Sequence, residues 1–136
     1  MGIQLVWGNE EQTVLRHIYD STWTIRNYFQ ATDDSQPFLL AANHPVDIII
    51  DMRFSNRPPF GLLPVYTTIE RQLPPNQRLV VIVQANTIMR MYNQVIQAIA
   101  PKVSTNRHLV NNLDEAYQLI RQCQSNLAMM PLSRAI

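Results

Sequence analysis

The chain has 136 residues, 46% of them hydrophobic and 15% charged, with a formal net charge of +1. That length suits a single domain with one core, and the near-neutral charge excludes a nucleic-acid-binding basic stripe and an acidic tail. Cys123 is the only cysteine, which excludes an intrachain disulfide and any zinc-ligand spacing.

Ile3 to Trp7 and Thr13 to Tyr19 read as two strands, with Ile3, Leu5 and Trp7 on alternate positions. Gly8-Asn9-Glu10-Glu11 between them supplies turn chemistry and predicts a β-hairpin. Ser21 or Thr22 then caps a helix in which Trp23, Tyr28 and Phe29 share a face, and the apolar pattern resumes at Phe38, Leu39, Leu40 and Ala42. Pro37 leaves two arrangements open, a second short helix or one long kinked helix.

Val46, Ile48, Ile49 and Ile50 form a β-branched block of the kind buried on both faces of a parallel sheet, and it ends at Asp51. A polar loop over 55–60 leads to a helix expected from about Gly61 to Leu73, stopped by Pro74-Pro75-Asn76. Leu79 to Val83 is the next buried strand. Asn86 or Thr87 caps a further helix in which Ile88, Met91, Tyr92, Val95, Ile96 and Ile99 recur at helical spacing, ended by Pro101. His108 to Val110 is a short last strand. Asn112-Leu113-Asp114-Glu115 resembles a capping box for a final helix running to near Cys123. Residues 1–125 make one domain, and 126–136 read as a tail in which Leu127, Met129, Met130 and Leu132 are free to dock on a neighbour.

The alternation predicts an α/β fold, with a mixed, mostly parallel sheet of about five strands, an N-terminal hairpin and about four helices. Loops after parallel strands carry ligand and partner sites in such sheets. The candidate constellation is therefore Asp51, Arg53, Ser55, Asn56, Arg57 and Phe60 after one strand, with Asn86 and Arg90 after the next. If the two strands are neighbours, both loops open on one edge, where arginines and helix N-termini favour an anion. The simpler alternative is that Asp51 pairs with an arginine to order the loop while the others are solvated. Phe60 with Leu62 and Leu63 would form an apolar patch there. The methionines of the third predicted helix, Met89 and Met91, suit a core or an adaptable groove.

No enzyme chemistry is expected. His17, His44 and His108 read as surface or edge histidines outside any Ser/His or Cys/His arrangement, and Cys123 as a packing residue. Gly2, Gly8 and Gly61 are too few for a phosphate loop. No cofactor or metal is expected; Asp33-Asp34 reads as a helix start or a solvated turn. No apolar run nears the roughly 20 residues of a membrane span, and no leader or Asn-x-Ser/Thr sequon is read, so a cytoplasmic protein is expected. Lys102 is the sole lysine among 11 basic residues, a bias towards the bidentate guanidinium that a compositional habit of the source explains equally well.

Several stretches together resemble the STAS or SpoIIAA-like family. They are Trp23 at a helix start after a strand pair, His44-Pro45-Val46-Asp47 leading into IIIDMR, the Arg78 to Val83 strand followed by Asn86, and LDEAYQLI near the end. The resemblance spans roughly residues 3–122 and implies a bacterial regulatory or protein-interaction module. STAS anti-sigma-factor antagonists are switched at a serine in an Asp-Ser-Ser/Thr-Gly motif. Gly61 falls near that glycine, but Pro58, Pro59 and Phe60 precede it, and Ser55 lies earlier in the loop. The Sec14-related branch implies instead a carrier of a small apolar or lipid-like ligand with an acidic head. A homodimer follows only by analogy of fold.

Overall fold

The computed structural model describes residues 2–55, 76–83 and 107–128, together with residues 90, 91, 94, 95 and 98. Five strands, β1 (Ile3–Trp7), β2 (Val14–Tyr19), β3 (Val46–Asp51), β4 (Gln77–Val83) and β5 (Arg107–Val110), form one sheet in the order β1-β2-β3-β4-β5. β1 is antiparallel to β2, and the remaining neighbours are parallel. The protein is thus α/β with a mixed sheet, as the alternation of patterns predicts.

Two helices are described in full, α1 (Ile25–Ala41) and α2 (Leu113–Ala128), rather than the four or so expected. The helix expected over 61–73 lies outside the described residues. Of the one expected over 86–99, Arg90, Met91, Gln94, Val95 and Ala98 are described, all helical and exposed. Met91 and Val95 therefore face solvent, where their helical spacing suggested a core face.

Thr24, not Ser21 or Thr22, caps α1. Its hydroxyl accepts from the Asn27 N–H at 3.1 Å, and the Asn27 side chain accepts from the Thr24 N–H at 2.9 Å. Thr22 is already committed to Asp20, whose carboxylate accepts from both its N–H and its hydroxyl. Trp23 consequently precedes the helix. Tyr28 is buried while Phe29 is 40% exposed, so the two do not share a buried face.

α1 runs unbroken through Pro37, which settles the two arrangements left open. The missing proline N–H would have bonded the Asp33 carbonyl, and both residues lie on the exposed side of the helix. α2 opens on Asn112, whose Oδ1 accepts from the Glu115 N–H at 2.8 Å. The Glu115 carboxylate accepts from the Asn111 N–H rather than from that of Asn112, so the predicted capping box closes one residue early. α2 extends to Ala128, past the expected end near Cys123.

Successive side chains of β3 enter opposite faces, as the pleat requires. Val46, Ile48 and Ile50 pack with Trp23, Tyr28 and Leu39 on the α1 side. Ile49 packs with Val14, Val81 and Val83 beneath Ala116 and Ile120 of α2. Each fully buried aliphatic side chain in these layers contributes about 1.5–3 kcal/mol. Among the described residues no helix is long and apolar enough to cross a membrane.

Candidate functional site

β3 and β4 are neighbours, so the chain leaves both at the same sheet edge. Asp51, the last residue of β3, projects to the α2 side and has no solvent exposure. A carboxylate buried in this way must be paired. Arg53 grips it in a fork, Nε to Oδ1 at 2.9 Å and Nη2 to Oδ2 at 2.8 Å, and its own N–H adds a bond to Oδ1 at 3.1 Å. Arg16 of β2 reaches Oδ2 from the neighbouring strand at 3.3 Å. Burial alone would raise the Asp51 carboxyl. The Arg53 bonds and charge, with the Arg16 bond, outweigh it and hold the group below the usual carboxylate range. The contact with Asp51 in turn raises the Arg53 guanidinium.

Four donor contacts occupy Asp51, so it anchors the loop, as the simpler sequence reading supposed, and has no free lone pair directed at a substrate. Two guanidiniums share this one carboxylate, which leaves a positive charge in excess. The Arg16 Nε–H is buried without a partner. On the outside, the Arg53 guanidinium lies 5.2 Å from the centroid of the Phe54 ring, and Phe54 is 56% exposed.

Ser55 closes the segment. It is fully buried, its N–H bonds the Met52 carbonyl, and its hydroxyl accepts the Trp23 indole N–H at 2.7 Å. Trp23 in turn meets Tyr19 edge-on, with centroids 4.7 Å apart. Ser55 is thus a tie between the loop after β3 and the entry to α1, and its hydroxyl is out of reach of a modifying enzyme in this conformation.

Of the remaining candidates, Arg90 is exposed and donates to Asn111 just after β5 at 2.9 Å. Asn56, Arg57, Phe60 and Asn86 lie outside the described residues. Arg16 was missed by sequence reasoning. A charge inside a strand otherwise buried was the available signal, but nothing local says which acid meets which arginine. The same holds at the other end of β3, where the fully buried Asp47 receives Arg78 in a fork at 2.8 and 2.6 Å.

His17 corrects an expectation. It lies in β2 between β1 and β3, and its Nε2 is buried without a hydrogen-bond partner. Burial lowers its pKa to about 4. It is not an edge histidine, because the hairpin places β1 outside it, and it is half-buried rather than exposed. Among the described residues no three His, Cys, Asp or Glu side chains cluster as metal ligands do. Comparison with protein-family models, curated proteins and solved structures finds no match to this chain.

Proposed function

We propose that the chain is a non-enzymatic interaction module of the STAS or SpoIIAA-like kind, which holds a protein partner at the segment following Asp51. One observation carries this reading: a buried, doubly paired carboxylate presents Arg53 stacked on an exposed Phe54 at the edge where the parallel strands end. Arginine and aromatic side chains held rigidly in this way are the residue types that dominate interface energetics. The mixed, mostly parallel five-stranded sheet with its N-terminal hairpin is consistent with this reading. With Ser55 buried against Trp23, binding is constitutive rather than gated by phosphorylation of that serine. The excess positive charge of the Arg16–Asp51–Arg53 group favours an acidic partner surface. The carrier reading places its ligand between loops that include residues 56–75 and 84–89, outside the described ones, and gains no observation here.

Phe54→Ala is the clean test, because the ring is exposed and anchors nothing in the core, whereas Arg53 substitutions uncover a buried carboxylate. Quantitative affinity capture from the source lysate is expected to lose its specific partner with Phe54→Ala at an unchanged melting temperature. Equal recovery of every captured protein by both baits would reject the reading.

A further inference from the structure

At the opposite edge of the sheet lies a second surface with different chemistry. Trp7 pairs with Leu15, and Leu15 with Ile48, three residues upstream of Asp51 in β3. There Trp7, Gln12, Pro37, Phe38, Ala41 and Ala42 line an open hollow of about 250 Å³ between the hairpin turn and the last turns of α1. Trp7 and Phe38 meet edge-on in its wall, with centroids 5.6 Å apart. Gln12 is held at a φ of 58°, a left-handed conformation unusual for a residue with a side chain. Leu40, 69% exposed, sits one helical turn from Pro37 and extends the apolar surface outward.

The charged side chains on the adjoining turn of α1 share one sign. Pro37 has no N–H, so the Asp33 carbonyl lacks its intrahelical donor on the exposed side of α1. The Asp33 and Asp34 carboxylates stand one turn before Pro37 and Phe38, both exposed. Glu10, also exposed, belongs to the turn that carries Gln12, whereas Glu11 turns to the α2 side beside Tyr117 and Arg121. Ala41 and Ala42 bring the carbonyl end of α1 to the hollow, and no basic residue in its last turn offsets that partial negative charge. An apolar recess with two carboxylates one helical turn away and the carbonyl end of a helix beside it is complementary to positive charge around a single large side chain.

We propose that this hollow docks a cationic partner segment that inserts one large apolar side chain between Trp7 and Pro37. The proposal is independent of the reading given for the Asp51 edge. A proline in mid-helix costs about 3 kcal/mol, and here it walls the recess.

The test titrates the full chain with a short fluorescein-labelled peptide carrying one leucine flanked by arginines, followed by anisotropy and by Trp7 emission. Saturable binding that shifts the emission, with the shift lost in Trp7→Phe, is expected. Replacing the peptide leucine by glycine should weaken binding about tenfold or more. Asp33→Asn with Asp34→Asn should weaken it about fivefold, as the loss of two exposed charge contacts, and added salt should weaken it further. Ala41→Phe, at an exposed position, should fill the recess and abolish binding. Pro37→Ala should raise the melting temperature yet weaken binding, a split that a purely structural proline would not give. Equal affinity for a twin peptide with glutamates in place of arginines overturns the proposal. So does unchanged binding by the double Asn variant or by Ala41→Phe. Self-association in sedimentation velocity that Ala41→Phe removes would instead put a second copy in the recess, and overturn it.

Discussion

His17 and Ser55 show how a side chain's environment decides its chemistry. An imidazole in the middle of a sheet, with a buried nitrogen and no partner, is stable only when neutral. The unfolded chain takes up that proton near pH 6.5, but the folded one resists until about pH 4. The unfolded state therefore binds more protons within this window, and stability falls as pH drops through it. The expected loss between pH 6.5 and 4 is up to about 3 kcal/mol. Denaturant melts of the wild type and His17→Leu across that range should diverge, the variant having the flatter profile; parallel profiles would assign the slope to other groups. Histidine 17 was visible in the sequence, but its burial was not, because a strand's place in the sheet decides whether its side chains meet solvent. Ser55 was equally visible as a loop serine. Only its contact with Trp23, 32 residues away, turns it from a modifiable hydroxyl into a structural one.

At the scale of elements, β3 is the strand around which the protein is organised, and its two acids mark its ends. Asp47 lies opposite a register shift: Val46 pairs with Gln77 and Ile48 with Val80, so Arg78 and Leu79 together face one residue. The Asp47 carboxylate accepts the Leu79 N–H at 3.1 Å, which the bulge would otherwise leave unpaired, and receives the Arg78 fork. Asp47→Ala removes these three bonds and a longer one from Gln124 at 3.5 Å, and strands the bulged amide. It is expected to cost about 3 kcal/mol, tempered by the partial exposure of Arg78. Asp47→Asn, which can keep the amide contact but not the charge, should cost less. An Asp47→Ala protein as stable as wild type in urea would show that the bulge needs no side-chain cap. The strand itself was legible from its β-branched run, and so were the caps at Asn112 and the hairpin turn. Less legible was α1, whose start moved to Thr24 because Asp20 had already engaged Thr22. Its continuation through Pro37 depended on that proline facing solvent.

Across the whole molecule, the sheet separates two apolar layers, one under α1 and one under α2. The far ends of the chain are joined on the α2 side, where the Tyr117 hydroxyl donates to the Gly8 carbonyl at 2.9 Å. A Cβ on Gly8 would stand 2.8 Å from that hydroxyl oxygen and 3.0 Å from a Val14 methyl. Gly8→Ala should therefore destabilise by about 1–3 kcal/mol through overpacking, and Tyr117→Phe should recover part of that loss by withdrawing the oxygen. Strict additivity of the two substitutions in thermal melts would deny the contact its role. What the amino-acid order determined unaided was periodic and local: an α/β alternation, five strands, a hairpin, and a polar segment after Asp51 at the edge where parallel strands end. Those signals survive without neighbours because hydrophobic period and turn chemistry act over a few residues. The tertiary structure alone decided which arginines meet Asp47 and Asp51, that the His17 Nε2 is buried, and that Ser55 is tied to Trp23. It also brought Trp7, Gln12 and the end of α1 around one recess. Each of these joins residues distant in sequence, and ten arginines offer no local means of choosing between partners until strand order and register set the distances.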